Sequence, residues 1–364
     1  MQLHRLLLMS GLSIDGKNSF SRQLSLLARF IEQRGIKTFL SGPLRTQHSR
    51  PSSFFRKDFK NVGRVSTLLK KTDTQAALLL GYPDQFHFLQ ELPAFFVPLF
   101  LWAQFSNLID PSCIGNALPV PLTEKTALFM EKSGLSRVGP VIPHGIDCAR
   151  YIPLSAEDRI NARRKFGIRK GFVIGTVGAH TARKQLGRVI DAFARFLERG
   201  CDGTLLIKTD RTLSLDSIDL EALAERMRVN HRVKFITQEL SDDEMNDLYN
   251  VMDLYLNLSE WEGFCIPVIE AMACSVPVAS PQIQGPGEIL PYREMFIKGG
   301  TVEQEGERSL FLADPKEAAE ILVKALEHRT LLQQLGERGR REAEQKYDIR
   351  IVVQRWEELI SGVL

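Results

Sequence analysis

Between residues 172 and 281 the chain repeats one alternation, a short apolar run followed by a longer stretch with apolar residues at helical spacing. "FVIGTVGA" (172–179) precedes "KQLGRVIDAFARFLER", where Leu186, Val189, Ile190, Phe193 and Phe196 share one helical face. "TLLIKT" (204–209) precedes a helix over 220–229. "VKFIT" (233–237) precedes "SDDE" (241–244), a capping box opening a helix that ends near Val251. "LYLNLS" (254–259), a helix holding Pro267–Ala273 and a strand at "VPVAS" continue the series. Strands this uniformly apolar have both faces covered, so the rhythm predicts a parallel sheet between two layers of helices.

The first half starts the same rhythm with a strand at Leu6–Met9, a helix near Phe20–Gln33 and a strand near Lys37–Leu40. "AALLLG" (76–81), "VPLFLW" (97–102) and "NALPVPL" (116–122) read as further strands. The opening "MQLHRLLLMSGLS" is accordingly taken as a first buried strand and not as a signal peptide. "VGPVIPHGID" (138–147), rich in Pro and Gly, marks the end of this half. At 364 residues the chain is too long for one ordinary core. The expectation is an α/β protein of two doubly wound, Rossmann-like domains. They would face an interdomain cleft at the carboxyl ends of their strands, where such sheets bind ligands.

Composition removes several function classes. The five cysteines, Cys113, Cys148, Cys201, Cys265 and Cys274, form no CxxC pair. That argues against a disulfide frame or zinc site and for a reducing compartment. No HExxH, P-loop or GxSxG segment occurs. The most apolar stretch, Phe86–Phe105, contains His87, Glu91, Pro93 and Pro98, so it reads as core and not as a membrane span. Charge is uneven: residues 1–150 hold 18 Lys+Arg against 10 Asp+Glu, and the remainder 29 against 34. Arg45–Lys71 sets eight basic residues against Asp58, with Phe54, Phe55 and Phe59 interleaved. Such a stretch suits a solvated loop, or a surface for an anionic membrane or an anionic lipid-linked acceptor. Nucleic acid is not expected as a partner, because no nucleic-acid module accompanies it.

The densest cluster of candidate residues is "SEWEGFCIPVIEAMACSVPVAS" (259–280), with Glu262 just after a strand and Glu270 inside the next helix. A carboxylate carried toward a core costs free energy unless hydrogen-bonded, and two acids bracketing a tight turn suit a ligand with many hydroxyls. On the residues alone, Glu262 reads equally as an acid favoured by the helix dipole, with Glu270 solvated.

"EGFCIPVIEAMACSVPVAS" resembles the E-x7-E motif of retaining family-4 glycosyltransferases, enzymes of the GT-B fold. Four other segments are similar in order and spacing. "VIPHGID" resembles the family's interdomain segment, with His144 where Asn is usual, and "GTVGAHTARKQLGRVIDAF" resembles the strand–loop–helix that holds the donor's phosphates. "GPGEIL" (285–290) resembles a later G-x-x-E turn, and "YDIRIVVQRWEELI" a terminal helix that crosses back to the first domain. The resemblance covers about residues 140–364 well and is weaker before them. It implies an acceptor-binding domain at 1–150, a nucleotide-sugar domain at 151–345 and the returning helix at 346–364.

The resemblance also implies roles. Glu270 would accept the ribose hydroxyls of a nucleotide, and Glu262 would lie beside the donor sugar. The backbone amides of Gly263, Phe264 and Cys265, at a helix start, would contact sugar hydroxyls or phosphate. Lys184 corresponds to the lysine that neutralises the diphosphate, with Arg183 beside it. Gly178 closes the preceding strand. Ala179 stands where the family has Arg, so half the phosphate clamp is missing or His180 partly substitutes. Gly16, in a reduced "SIDGKNSF" loop, would bring backbone near the phosphate, with Lys17 adding charge. No His follows the strand before "AQFSNLID", which leaves His87 as a substitute for the family's first-domain histidine. Cys265 replaces a frequent Gly.

The implied function is transfer of a sugar, with retention, from a nucleotide diphosphate donor to a glycan or lipid-linked acceptor. No metal and no cofactor beyond the donor are expected. The expected place is the cytoplasm, with peripheral contact at the inner face of the membrane. The rival is a non-catalytic nucleotide-sugar-binding regulatory or assembly subunit of the same fold.

Overall fold

The structure is a computed structural model, and it describes residues 3–11, 18–42, 62–82, 85–86, 89, 97–103, 110–168, 171–213, 218–305 and 308–364. The chain divides into two compact units, Met1–Asp147 with Tyr347–Leu364, and Cys148–Lys346. No described helix is long and apolar enough to cross a membrane.

The first unit comprises β1 (Arg5–Ser10), α1 (Ser19–Glu32), β2 (Lys37–Ser41), α2 (Val62–Thr72), β3 (Ala76–Gly81), β4 (Leu99–Ala103), β5 (Leu118–Pro121) and α3 (Glu124–Lys132). Its five strands are parallel in the order β2-β1-β3-β4-β5. Leu6, Leu7, Leu8 and all of β3 are buried, as continuous apolar runs between helix layers require. In α1, Phe20, Leu24, Leu27 and Ile31 are buried at helical spacing, and the Asn18 side chain caps the start by accepting from Ser21 N–H.

The terminal helix, Ile349–Val363, belongs to this unit and packs on α1. It buries Ile349, Val352, Val353, Trp356 and Ile360. Beside it, "VIPHGID" is fastened at both faces. The buried Gln23 amide donates to Gly145 O at 2.9 Å and accepts from Gly145 N at 3.1 Å, and Trp102 Nε1 donates to Ile142 O at 2.7 Å. The Trp102 ring lies 4.8 Å from His144 and 5.4 Å from Trp356, edge-on in both cases. Burial pushes the His144 pKa down to about 3, so the ring is neutral. His144, at the position where the resemblance has Asn, therefore packs as a neutral ring against Trp102.

The second unit opens with α4 (Ala156–Lys165), followed by β6 (Phe172–Val177), α5 (Leu186–Glu198), β7 (Gly203–Lys208), α6 (Leu220–Arg226) and β8 (Val233–Ile236). It continues with α7 (Asp242–Val251), β9 (Leu254–Leu256), α8 (Ile266–Ala273), β10 (Val278–Pro281), α9 (Gln284–Ile289) and β11 (Phe296–Ile297). The parallel order is β11-β10-β9-β6-β7-β8. The chain thus winds outward from β6 to β8, then returns past β6 and winds the other way. β6 and β9 are thus the neighbouring strands at which the winding reverses, the switch point of the sheet. The capping box is present, with Ser241 Oγ accepting from Glu244 N–H and Glu244 accepting from Ser241 N–H.

Three features differ from the sequence reading. "GPGEIL" forms the short helix α9 and not a simple turn, with Gly287 N donating to Ile283 O at 2.7 Å. An antiparallel hairpin of β12 (Gly300–Glu305) and β13 (Arg308–Ala313) follows, then α10 (Pro315–Glu327) and α11 (Arg329–Glu342). The third is α4, whose sequence "AEDRINARRK" has no apolar stripe. Ion pairs anchor it: Arg159 and Arg163 reach the Asp253 carboxylate at 2.8 and 2.9 Å, and that carboxylate also accepts from Val173 N at 2.8 Å.

Removing this shared acceptor leaves the two guanidinium groups of α4, that of Arg329 at 3.5 Å and a strand amide without it. Asp253→Ala should therefore cost about 2–4 kcal/mol in urea unfolding. A loss below about 0.5 kcal/mol, the level of an ordinary exposed ion pair, would show that α4 is held by something else.

Candidate functional site

The site grows from the two loops at the switch point. After β6, Gly178 N donates to Lys208 O at 3.0 Å, and the chain makes a 3-10 turn over Ala182–Lys184. Gln185 then adopts a left-handed conformation (φ 50°) and starts α5. A Cβ at Gly178 would lie 3.1 Å from Cδ and Cε of Lys184. The glycine gives the lysine stem room to fold back over the turn.

After β9, residues 257–262 come alongside. Glu260 N donates to Arg183 O at 3.0 Å, and Gln185 Nε2 donates to Glu260 Oε2 at 2.8 Å. The Arg183 guanidinium sits 4.9 Å over the Trp261 ring and donates to Trp261 O at 3.0 Å. Hairpin strand β13 joins the same loop, with Phe311 N donating to Glu260 O at 2.9 Å.

These contacts bring three sequence-selected residues together. Glu262, with its side chain 5% exposed, takes Lys184 Nζ at 2.5 Å on Oε1 and Arg183 Nη1 at 2.6 Å on Oε2. Ser259 Oγ reaches Oε1 at 2.9 Å. Burial alone would push this carboxyl up. The Lys184 and Arg183 charges, with hydrogen bonds from Lys184 and Ser259, outweigh burial and hold the pKa at about 2.

Glu270 has a different setting. It is half-buried on α8 and accepts from the Tyr249 hydroxyl at 2.6 Å. Burial, then the Glu270 charge, raises the Tyr249 pKa well above that of a free phenol, so the hydroxyl stays a donor. Gly263, Phe264 and Cys265 form the buried turn between the two acids. Cys265 precedes α8 with φ 80°, in the region that favours glycine, which accounts for the usual Gly there. Burial pushes its thiol up to about 12, so it is no nucleophile at neutral pH. Among the described residues no side-chain hydrogen bond caps α8.

The turn is clamped from α9. Gly285 N donates to Glu262 O at 3.0 Å, and a Cβ at Gly285 would lie 2.1 Å from Phe264 O. Only glycine fits that approach.

His180 reaches toward the end of β7, where its backbone N–H donates to Asp210 Oδ1 at 2.7 Å. Its ring is buried, and among the described residues neither ring nitrogen has a hydrogen-bond partner. Burial lowers its pKa against the pull of Asp210. Gly16 and His87 lie outside the described residues, as does most of the basic Arg45–Lys71 stretch. Among the described residues no cluster of three or more His, Cys, Asp or Glu is placed to hold a metal. The sequence reading missed Asn257, Ser259, Tyr249, Gln185 and Glu260. The "S" three positions before Glu262 is the one signal that could have found any of them.

Residues 158–342 match the family described as Glycosyl transferases group 1. The chain belongs to that family. Mannosylfructose-phosphate synthase of Agrobacterium fabrum is 26% identical over 246 residues, 65% of this chain and 50% of that protein. The capsular polysaccharide biosynthesis glycosyltransferase CapM of Staphylococcus aureus is 28% identical over 192 residues, 52% of this chain and 45% of that protein. The chain thus spans about half the length of the curated relatives it matches. Among solved structures, sucrose-phosphate synthase of Thermosynechococcus elongatus superposes with a TM-score of 0.81 at 14% identity, covering 99% of both chains. Anabaena Alr3699/HepE, in complex with UDP and glucose, superposes with a TM-score of 0.72 at 17% identity, covering 99% of this chain and 100% of that one. At these identities the superpositions speak to fold, and the fold is GT-B, α/β with two Rossmann-like units.

The Glu262 ion pairs carry a pH signature. Its folded pKa, about 2, lies below the 4.5 of an unperturbed glutamate. The stabilisation is therefore complete above pH 4.5 and is lost as pH falls toward 2. Glu262→Gln should be less stable by about 3 kcal/mol at pH 7, with the gap narrowing as the medium is acidified below the unperturbed value. Urea unfolding at a series of pH values measures the gap, and a constant gap would show that Glu262 does not titrate as described.

Proposed function

We propose that this protein is a retaining, metal-independent glycosyltransferase that moves a sugar from a nucleotide diphosphate donor to a glycan or lipid-linked acceptor. One observation carries the reading: two cations, Arg183 and Lys184, converge with a buried carboxylate at the switch point of a doubly wound sheet. In this reading they turn to the donor's diphosphate. Negative charge grows on that diphosphate as the glycosidic bond breaks, so fixed cations act more strongly in the transition state than in the ground state. They also take the place a metal would fill.

Glu262 then faces the donor sugar, and Glu270, with Tyr249 behind it, accepts from the ribose hydroxyls. In this reading the backbone amides of Gly263, Phe264 and Cys265, before α8, contact sugar hydroxyls or phosphate. Gly178 keeps the lysine stem over the turn, and His180 lines the same strand ends. Glu262 reaches the site as a buried, cation-bound carboxylate and not as an exposed nucleophile. Departure and attack on the same sugar face is therefore the route in this reading.

Support comes from family membership and from the titles of neighbours. HepE is described with UDP and glucose, and CapM is described as acting in capsular polysaccharide biosynthesis. The first unit is assigned the acceptor. The basic excess of residues 1–150 and five free thiols support a cytoplasmic protein that touches an anionic surface.

Two variants test the assignment. Glu270→Ala should weaken nucleoside diphosphate binding by about 1.5–3 kcal/mol in calorimetry, the worth of hydrogen bonds to a charged acceptor. Unchanged affinity for every nucleotide the parent binds would remove the ribose role. Lys184→Ala should lower turnover of a nucleotide sugar by roughly 10²-fold or more, beyond its effect on nucleotide affinity. Parental turnover in that variant, assayed with cell extract as acceptor source, would move the phosphate site elsewhere.

A further inference from the structure

If Arg183 and Lys184 turn to a diphosphate, as the proposed function requires, Glu262 is left nearly without exposure and short of its two counter-charges. A buried carboxylate in that position takes up a proton or shifts unless another donor holds it. The structure contains such a donor on the side away from solvent. Arg183 and Lys184 are 29% and 10% exposed in their side chains, whereas Ser259 and Ser280 are fully buried and Asn257 is 3% exposed.

The hydrogen-bond directions in this chain of residues are determined. Ser280 Oγ donates to Pro281 O at 3.0 Å, so it accepts from Asn257 Nδ2, also at 3.0 Å. Asn257 Oδ1 therefore faces Ser259, and it accepts from Ser259 N at 3.3 Å. The Ser259 hydroxyl has one proton and two acceptors in reach, Asn257 Oδ1 at 2.8 Å and Glu262 Oε1 at 2.9 Å. With both cations on Glu262, either acceptor can take that proton. With the cations drawn away, the carboxylate is the stronger acceptor and rotation about one bond delivers the proton to it.

We propose that Ser259, oriented by Asn257, is a positioning residue that keeps Glu262 ionised and in place when a bound diphosphate draws off Arg183 and Lys184. The inference rests on the diphosphate reading above and adds to it the group that holds the empty-handed carboxylate. The other groups around Glu262 do not replace Ser259. The Tyr255 hydroxyl already donates to Val177 O at 3.2 Å, and the Cys265 thiol is a much weaker donor than a hydroxyl.

The test follows the Glu262 carboxyl by carbon-13 NMR in protein labelled at glutamate Cδ, with Glu262→Gln identifying its signal. The probe is inorganic pyrophosphate. Parent, Ser259→Ala and Ser259→Thr are titrated with acid, each with and without saturating pyrophosphate. With pyrophosphate bound, Ser259→Ala should titrate at least about one pH unit above the parent, and Ser259→Thr, which keeps the hydroxyl, should follow the parent. Without pyrophosphate, Ser259→Ala should rise by much less, because the cations still hold the carboxylate. Ser259→Cys fills the same space with a much weaker donor and replaces Ser259→Ala if that variant does not fold.

An equal rise with and without pyrophosphate, no rise at all, or no binding of pyrophosphate by the parent overturns the inference. The transferase reading is judged separately, by turnover of a nucleotide-sugar panel. A parent that binds pyrophosphate with the predicted titration but transfers no sugar would sink that reading alone. A parent that transfers sugar while Glu262 ignores the Ser259 substitutions would sink this inference alone.

Discussion

A carboxylate buried at the switch point of the second unit sets the arrangement of everything around it. Taking Glu262 out of water costs several kcal/mol, and that cost is offset only if cations and donors meet it with good geometry. Lys184 and Arg183 do so at 2.5 and 2.6 Å from opposite oxygens. They come from a loop 78 residues away in sequence, so the ion pairs also lock the β6 loop to the β9 loop. The left-handed Gln185, the room left by Gly178 and the contact of Gly285 with Phe264 O all serve that register. The cluster is a preorganised set of charges at the switch point of the sheet, as the proposed electrostatic catalysis requires.

The two acids of the motif sit in different settings. Glu262 is closed in, ion-paired and backed by Ser259. Glu270 is half-buried, with Tyr249 as a hydroxyl donor behind it. The eight-residue separation places one acid before the helix start and the other just over one turn into it.

Much of the second unit was legible because both faces of its strands are covered, and coverage writes continuous apolar runs into the sequence. α4 was not legible: its partner is Asp253, about ninety residues on, and ion pairs leave no periodicity. The acid and cation residues of the site were visible through their family resemblance, but their direct contact was not, since pairing across loops has no local signature. Asn257 and Ser259 were hidden for another reason: Asn and Ser after a strand are ordinary turn residues, and only the direction of their hydrogen bonds sets them apart. His144 and Cys265 looked like departures. The first packs against Trp102, and the second holds a left-handed turn at a conformational cost glycine would avoid.

The central claim is that Arg183 and Lys184 exchange Glu262 for the diphosphate of a nucleotide donor. A crystal structure of the protein with a bound nucleoside diphosphate tests it most directly. The account predicts the diphosphate within hydrogen-bonding distance of Lys184 Nζ and the Arg183 guanidinium, ribose hydroxyls on Glu270, and Ser259 Oγ still on Glu262. A nucleotide bound elsewhere, with both cations left on Glu262, would contradict it.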